Sequence, residues 1–265
     1  MEKQLGKKLF VGSIALVGLL SFAYAGHPIG TKAGNLSGYA QTESSYTSVS
    51  AKWTVPTVTF GTATSFSSNL QWIGINGLFR EVGGLVQGGT GQDVAADSGA
   101  VSYYGWYANA NGGVQKIPAT RYPVEPGDIM SGAVTCTADC MPFGRATWSL
   151  VLNNLTQHWT FSQTLKISSG MGSAEVIEEA TSDGNGHPFP WPNYGTIVFT
   201  DVTINGAAPN LTSSQALFSS NVTATSLPSK PNSTGNGFSV CWGPPRTYST
   251  CPKTPTPDRA APTSE

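Results

Sequence analysis

Three glutamates lie within five positions of one short segment in a chain that has few acidic residues. The sequence has 265 residues but only 15 Asp and Glu, and Glu175, Glu178 and Glu179 belong to the stretch 173–180. This stretch is a strand candidate, and successive side chains of a strand point to opposite faces. Glu175 and Glu179 therefore share one face, and Glu178 lies on the other. Carboxyl groups held in this way can act as general acids and bases.

The acidic segment alone leaves several interpretations open. A solvated edge strand can carry charge that prevents aggregation. A glycosidase built on a β-sandwich would need a second carboxylate about 5 to 9 Å away, and Glu81, Asp93 or Asp97 could supply it. The spacing of the three glutamates does not choose between these alternatives.

Histidine-dependent hydrolysis is disfavoured. The chain has 3 His, namely His27, His158 and His187, and it contains neither a Gly-x-Ser-x-Gly elbow nor a His-Glu-x-x-His motif. Those motifs place a nucleophilic serine beside a histidine base or two histidines on a zinc ion. We therefore predict that the protein is not a histidine-dependent hydrolase, and we expect no metal and no cofactor.

The segments that must position these groups show a period of two residues rather than 3.6. Apolar and polar side chains alternate over 49–55, 146–152 and 159–165, which is typical of strands with one buried face. Further strand candidates are 70–75, 83–88, 101–107, 129–137, 173–180 and 195–204, and only 213–219 suggests a helical turn. So many short strands predict an all-β fold of two packed antiparallel sheets or a barrel, with a β-sandwich favoured.

The composition supports one folded domain and argues against nucleic-acid binding. Charged residues make up 11% of the chain, with 14 Lys and Arg, while hydrophobic residues make up 39% and include 7 Trp. A charge share this low favours neither charge-driven disorder nor an electrostatic nucleic-acid surface. The apolar share is sufficient for a core of one β-domain.

The N-terminal segment has the features of a signal peptide. Lys3, Lys7 and Lys8 precede the apolar run 9–22, and Ala23 and Ala25 form a small-x-small cleavage pattern. The alternative is a membrane anchor, but this run has about 14 residues and a bilayer span needs about 20. We predict cleavage after Ala25 and export of a mature chain that is secreted, or periplasmic in a bacterium, and no longer attached to a membrane.

Four cysteines in an exported chain predict two disulfides. Three residues separate Cys136 from Cys140, and nine separate Cys241 from Cys251, so local pairing is the simplest of the three possible connectivities. A zinc site made by all four thiolates is the alternative. Neither spacing is Cys-x-x-Cys, which disfavours zinc.

We divide the chain into four parts on these patterns. Residues 1–25 are the signal peptide, 26–34 form a short lead, and 35–226 form the β-sandwich. Residues 227–265 are rich in Pro, Ser and Thr, and we expect them to form a tail that contains the disulfide loop 241–251.

Seven short motifs occur in a fixed order between residues 35 and 204. They are Asn-Leu-Ser-Gly-Tyr-Ala at 35–40, Val-Ser-Ala-Lys-Trp-Thr-Val-Pro-Thr at 49–57, Gln-Trp-Ile-Gly-Ile-Asn-Gly at 71–77, Gly-Leu-Val-Gln-Gly-Gly at 84–89, Tyr-Tyr-Gly-Trp-Tyr at 103–107, Val-Glu-Pro-Gly-Asp at 124–128 and Ala-Glu-Val-Ile-Glu-Glu at 174–179. Together they resemble the ordered motifs of the glutamic peptidases, or eqolisins. The resemblance implies a secreted acid endopeptidase with a concanavalin-like, lectin-like β-sandwich of two curved antiparallel sheets.

The resemblance also implies which residues are catalytic. Matched motif by motif, the catalytic pair is Gln87 and Glu179. Trp72 corresponds to the family tryptophan beside the Gly-Ile-x-Gly turn, which is 74–77 in this sequence. Glu179 would activate water and then protonate the leaving amine, while the Gln87 amide would donate a hydrogen bond to the oxyanion. The role of Gln87 suits acidic pH, because a neutral amide does not titrate.

Aromatic residues near Gln87 could line a groove for an extended polypeptide substrate. The candidates are Trp72, Tyr103, Trp106 and Tyr107. Each could instead belong to the core of the sandwich. A noncatalytic sandwich that binds glycan or polypeptide in the same groove is the alternative function, and we expect a monomer in either case.

Four positions depart from the family motifs. Leu36 stands where the family usually has Trp, Asn76 replaces an Asp, Gly105 replaces a Glu, and Glu178 occupies a position that is usually apolar. Gln87 and Glu179 are both kept. The departures therefore concern the surroundings of the pair rather than the pair itself.

Overall fold

The computed structural model describes residues 30–61, 65–78, 83–108, 113–220, 224–244 and 251. The predicted signal peptide 1–25 lies outside the described residues, as do residues 26–29 of the predicted lead. In the described part of the chain the regular structure is 15 strands and one 3₁₀ turn. No helix among these residues is long and apolar enough to cross a membrane.

The strands confirm the all-β prediction. In chain order they are β1 (Thr31–Lys32), β2 (Leu36–Gln41), β3 (Ser48–Thr54), β4 (Ser67–Ile75), β5 (Val86–Val94), β6 (Val101–Ala108), β7 (Val114–Lys116), β8 (Ile129–Ala138), β9 (Arg145–Asn154), β10 (Trp159–Ser168), β11 (Ala174–Ala180), β12 (Thr196–Ile204), β13 (Ala216–Ser220), β14 (Thr225–Pro228) and β15 (Phe238–Gly243), and the 3₁₀ turn is Ser213–Gln215.

The strands form two layers, which are joined at β13 and β14. One layer has the order β13-β2-β11-β4-β5-β6-β7, and we call it the site sheet. The other layer has the order β10-β9-β8-β3-β12-β15-β14, and we call it the back sheet. Neighbouring strands are antiparallel throughout, except that β1 runs parallel to β13.

Alternation along each strand gives the site sheet two different apolar faces. Ile73 and Ile75 of β4 pack inward with Trp53 and Trp148 of the back sheet, and they form the main core. The opposite face carries a second cluster, which we call the outer cluster. Its buried members are Ala40, Leu70, Trp72, Tyr104, Trp106, Ala108, Ile177 and Leu217. Because β4 contributes to both clusters, all nine of its residues are buried.

Strand β5 extends beyond the predicted segment 83–88. The prediction was too short because the glycines of this strand have no side chains that would show an alternating pattern. A Cβ atom added at Gly91 would lie 2.6 Å from both Leu70 Cδ2 and Tyr104 Cε2. These side chains, which belong to the strands on either side, close over the glycine. A glycine at this point therefore allows close packing that a larger residue would prevent.

The sandwich does not end at residue 226. Strand β14 pairs with β13 and β15, and β15 also pairs with β12 in the back sheet. The prediction of a tail from residue 227 is therefore wrong for 227–243. These residues are rich in Ser, Pro and Thr, but Leu227, Phe238 and Val240 are buried and join the segment to the core.

Both predicted disulfides are present. Cys136 is bonded to Cys140, and Cys241 is bonded to Cys251. The described residues include no free cysteine. Cys241 lies in β15, so the second disulfide joins Cys251 to the back sheet.

Candidate active site

Three neighbouring strands of the site sheet bring the predicted catalytic residues onto one face. Strand β4 pairs with β11 on one side and with β5 on the other. Gly74 of β4 is opposite both Glu175 and Gln87, and Leu70 is opposite Glu179. Because alternate residues share a face, Glu175, Glu179 and Gln87 all lie on the outer face with Trp72.

Two neutral side chains hold the carboxylate of Glu179. The indole Nε1 of Trp72 donates a hydrogen bond of 2.8 Å to Oε2. The amide Nδ2 of Asn35 lies 3.0 Å from Oε1 and 2.7 Å from the carbonyl oxygen of Ala180. Neither donor titrates in the acidic range, so both can hold Glu179 whatever the pH.

Gln87 lies beside the other end of the same indole ring. A Cβ atom added at Gly74 would lie 2.9 Å from Trp72 Cζ3 and 3.1 Å from Gln87 Cβ. The glycine thus leaves room for Trp72 to lie between the two predicted catalytic residues. Gln87 is buried, and its Oε1 atom has no hydrogen-bond partner among the described residues.

Glu175 is fully buried on the same face but has a different surrounding. Its Oε1 accepts hydrogen bonds from the backbone N–H groups of Gly77, at 2.8 Å, and Leu78, at 3.1 Å. Burial raises the pKa of Glu175 to about 7, although these donors oppose the shift. Its carboxyl group therefore fixes the turn that follows β4 on the way to Gln87.

Glu178 points to the opposite face, between the two sheets. It is fully buried, and it accepts hydrogen bonds from Asn69 Nδ2 at 2.6 Å and Gln71 Nε2 at 2.7 Å. Burial raises the pKa of Glu178 well above its usual range. The segment is thus a central strand with buried carboxyl groups rather than a solvated edge.

The four predicted aromatic residues are divided between the two faces. Trp72 and Trp106 belong to the outer cluster, and Trp106 Nε1 donates to the carbonyl oxygen of Thr90 at 3.1 Å. Tyr103 and Tyr107 pack against the main core instead. Predicting all four in one groove was wrong, because residues 103 and 107 have the opposite parity to 106 in strand β6.

The same alternation identifies Tyr104 as an outer-face residue that the prediction missed. Its hydroxyl donates to Asp93 Oδ1 at 2.9 Å, and Lys116 Nζ lies 3.7 Å from the centre of its ring. Lys116 also forms an ion pair with Asp93 at 2.6 Å. These three residues form a charged margin beside the outer cluster.

Three of the positions that depart from the family motifs have the following surroundings in the structure. Leu36 is the neighbour of Glu179 across β2 and β11. Asn76 adopts a φ of 71°, and its side chain bonds to the Gly83 carbonyl at 3.2 Å and to the Gly172 N–H at 3.1 Å. At Gly105 an added Cβ would lie 2.6 Å from Ile117 Cδ1, so a larger side chain there would require the Ile117 side chain to move.

Within the described ranges, no group of three or more His, Cys, Asp or Glu side chains could hold a metal ion.

Comparison with known protein families identifies the family to which this chain belongs. A family model described as the Peptidase A4 family matches residues 34–237. No curated protein sequence matches the chain.

Two solved structures share the fold. A scytalido-glutamic peptidase with a transition state analog inhibitor is 21% identical, covers 80% of this chain and 100% of its own, and has a TM-score of 0.60. SCP-B, a member of the eqolisin family in a complex with the tripeptide Ala-Ile-His, is 22% identical with the same coverage and a TM-score of 0.55.

Proposed function

Because the chain belongs to the peptidase A4 family and is a glutamic peptidase, we propose that it hydrolyses peptide bonds of proteins with Gln87 and Glu179 as its catalytic dyad. The observation that carries this proposal is the position of Glu179 on the outer face, with Trp72 and Asn35 bonded to its two oxygen atoms. A carboxylate held in this way has a fixed orientation toward a water molecule and a substrate.

Glu179 would act first as a base and then as an acid. It takes a proton from water as the water oxygen attacks the carbonyl carbon of the peptide bond, which gives a tetrahedral intermediate. It then returns that proton to the amide nitrogen, and the C–N bond breaks to release an amine and a carboxylic acid. Proton transfer of this kind typically contributes about 10² to 10⁴ in rate.

Gln87 would stabilise the charge that develops on the carbonyl oxygen. Its Nε2 group can donate a hydrogen bond to this oxygen, and its buried position excludes water that would weaken the bond. The unpartnered Oε1 atom of Gln87 can accept a hydrogen bond from the attacking water. The side chain would thus help to place both the nucleophile and the oxyanion.

The buried glutamates support an acidic working range. Burial favours the protonated forms of Glu175 and Glu178, so the fold carries uncharged carboxyl groups in acid and must accommodate charge toward neutral pH. The donors to Glu179 are neutral and unchanged in acid. We therefore propose an acid endopeptidase that acts on extended polypeptides lying over the outer cluster, as a monomer and without a cofactor.

We further propose that the mature enzyme is secreted. The signal peptide expected at 1–25 supports export, and the two disulfides suit an oxidising compartment.

Digestion of a denatured protein by the purified mature chain, measured from pH 2 to 8, tests this function. We expect cleavage to be fastest below about pH 5, near the range in which a glutamate titrates, and to fade toward pH 7. Inhibitors of the pepstatin type should have no effect, because they target paired aspartates. Cleavage that is greatest at pH 7 to 8 would contradict the proposal.

A further inference from the structure

Glu178 belongs to β11, the strand that carries Glu179, but the proposed mechanism does not use it. Its neighbour Glu179 points to the outer face, while Glu178 points between the two sheets and is fully buried. Its two oxygen atoms accept hydrogen bonds from Asn69 and Gln71 of β4. A buried carboxyl group with specific partners requires a structural or functional reason, because burying it is costly.

The hydrogen bonds of Glu178 continue to the back sheet. Gln71 and Gln92 exchange hydrogen bonds of 2.9 and 2.8 Å between their side-chain amides. Thr90 Oγ1 donates to Gln71 Oε1 at 3.0 Å and accepts from Trp53 Nε1 at 2.8 Å. The network therefore connects β11 with β4, β5 and β3.

No cation faces this carboxyl group in the described part of the chain. The ion pairs found there join Lys52 to Asp201, Lys116 to Asp93 and His187 to Asp183. The side chains that face Glu178 from β4 and β2 are neutral. They are Asn69, Gln71 and Ser37.

The titratable groups near Glu178 also favour its uncharged form. Glu179, adjacent on the same strand, raises the pKa of Glu178 further, while the hydrogen bonds from Asn69 and Gln71 lower it. Tyr194, from the segment that precedes β12, has a pKa raised well above its usual value and is a neutral phenol. Glu175 is three positions away on the other face of β11. An ionised Glu178 would thus lie beside the carboxyl group of Glu179, with no compensating positive charge among the described residues.

Asn69 provides an acceptor that a protonated carboxyl group can use. Its Oδ1 atom has no hydrogen-bond partner among the described residues, although the residue is fully buried. If the Asn69 amide turns over, Oδ1 can accept the O–H of a protonated Glu178, while Gln71 still donates to the other oxygen. The uncharged form can therefore make the same number of hydrogen bonds with these two partners.

The network is coupled to the proposed catalytic residue by sequence adjacency on two strands. Gln71 and Trp72 are neighbours in β4, and Glu178 and Glu179 are neighbours in β11. Gln71 bonds to Glu178 on the inner face, and Trp72 bonds to Glu179 on the outer face. These two hydrogen bonds hold the same pair of strands in register from both sides.

We propose that Glu178 is a positioning residue for Glu179, and that it acts in this way only while its carboxyl group is uncharged. The inference rests on the proposed function of Glu179. As pH rises, ionisation of Glu178 places an unpaired charge between the sheets and loosens the pairing of β11 with β4. Glu179 then loses its orientation, so Glu178 sets the upper pH limit of the enzyme.

The variant Glu178→Gln tests this inference, because an amide has the shape of the uncharged carboxyl group and cannot ionise. Its turnover at acidic pH should stay within about threefold of the wild-type value. The upper limb of its pH–rate profile should move to higher pH by about one unit or more. Its thermal unfolding midpoint should also fall less between pH 4 and pH 7. The matched control is Glu125→Gln, which removes an exposed carboxyl group and should change neither profile.

An unchanged upper limb in Glu178→Gln, with an unchanged pH dependence of unfolding, would overturn the inference. If this variant does not fold, ¹³C NMR of the wild-type glutamate carboxyl carbons decides. The Glu178 signal should titrate together with the loss of activity, whereas titration in the ordinary glutamate range would overturn the inference.

A wild-type protein that cleaves no peptide at any pH would instead contradict the proposed function. The unfolding data alone would then decide whether Glu178 controls the pH dependence of the strand pair.

Discussion

The indole Nε1 of Trp72 lies 2.8 Å from Oε2 of Glu179 and donates a hydrogen bond to it across the β4–β11 pair. The other end of this ring lies over Gly74, beside Gln87. One side chain therefore contacts the carboxylate of Glu179 and also lies over the glycine that adjoins the Cβ atom of Gln87. Trp72 is thus the central support of the site.

Trp72→Phe should keep the aromatic packing and remove the donor. Because the ionised form of Glu179 loses a hydrogen bond, we expect turnover to fall by about tenfold. The acidic limb of the pH–rate profile should also move to higher pH. Measurement of kcat/KM against pH checks both expectations.

Trp106→Phe is the matched control for this change. Trp106 is buried in the same outer cluster, but its Nε1 bonds to a backbone carbonyl rather than to Glu179. A shift of the acidic limb in Trp106→Phe as large as that in Trp72→Phe would show that the effect is not specific to the Trp72 donor.

Gln87→Ala should lower turnover by about 10²-fold or more, as expected when an oxyanion donor is removed. The effect should appear in kcat rather than in KM, because the bond forms chiefly in the transition state. Gln115→Ala, at an exposed position of β7, serves as the control. Equal turnover of the two variants would exclude Gln87 from the chemistry.

Glu175→Gln should change the pH dependence of stability more than it changes activity. The folded-state pKa of Glu175 is raised to about 7 from an ordinary value of 4.5. Between these values the unfolded chain is ionised while the folded chain still holds the proton, so the free energy of unfolding falls by about 1.4 kcal/mol per pH unit. Below about pH 4.5 the carboxyl group of residue 175 is protonated in both the folded and the unfolded chain, so it causes no pH dependence of stability there.

Thermal unfolding from pH 4 to pH 8 checks this sign. The variant should lose less stability than the wild type as pH rises toward 7, and its oxygen can still accept from Gly77 and Leu78. If the unfolding midpoint of the wild-type protein rises steadily from pH 4 to pH 7, buried carboxyl groups are not the source of the pH dependence of stability.

The C-terminal disulfide should matter for stability, because it closes onto a strand of the back sheet. Nonreducing peptide mapping should recover Cys136 joined to Cys140 and Cys241 joined to Cys251. Replacing Cys241 and Cys251 by serine should destabilise the protein by about 2 to 3 kcal/mol, as for loops of this length. A peptide that joins Cys136 to Cys241 would contradict the pairing.

Sequence patterns predicted the strands whose buried faces alternate clearly. Trp53 with its neighbours in β3 and Trp148 with its neighbours in β9 are examples, because one side chain in two is apolar. The full length of β5 could not be predicted, because Gly89 and Gly91 carry no side chain that shows a period. The need for glycine at these two positions comes from Trp72, Leu70 and Tyr104 of the adjacent strands, which lie where a Cβ atom would be.

The faces of residues within strands could be predicted more safely than their partners. Alternation alone separates Tyr104 from Tyr103 and Tyr107, and applying it to β6 would have corrected the proposed groove. The partners of Glu178 could not be predicted, because they depend on the register of β11 against β4. Asn35 was missed because its contact with Glu179 depends on the pairing of β2 with β11, which joins residues far apart in the chain.

The turnover of Glu179→Gln at acidic pH, compared with that of Glu175→Gln, tests the proposed dyad most directly. Both changes replace a glutamate on the outer face of β11 by its amide, and circular dichroism should show both variants folded. We expect Glu179→Gln to lose at least about 10²-fold in turnover, while Glu175→Gln retains most of the wild-type rate. Equal activity in the two folded variants would contradict the assignment of Glu179 as the catalytic acid and base.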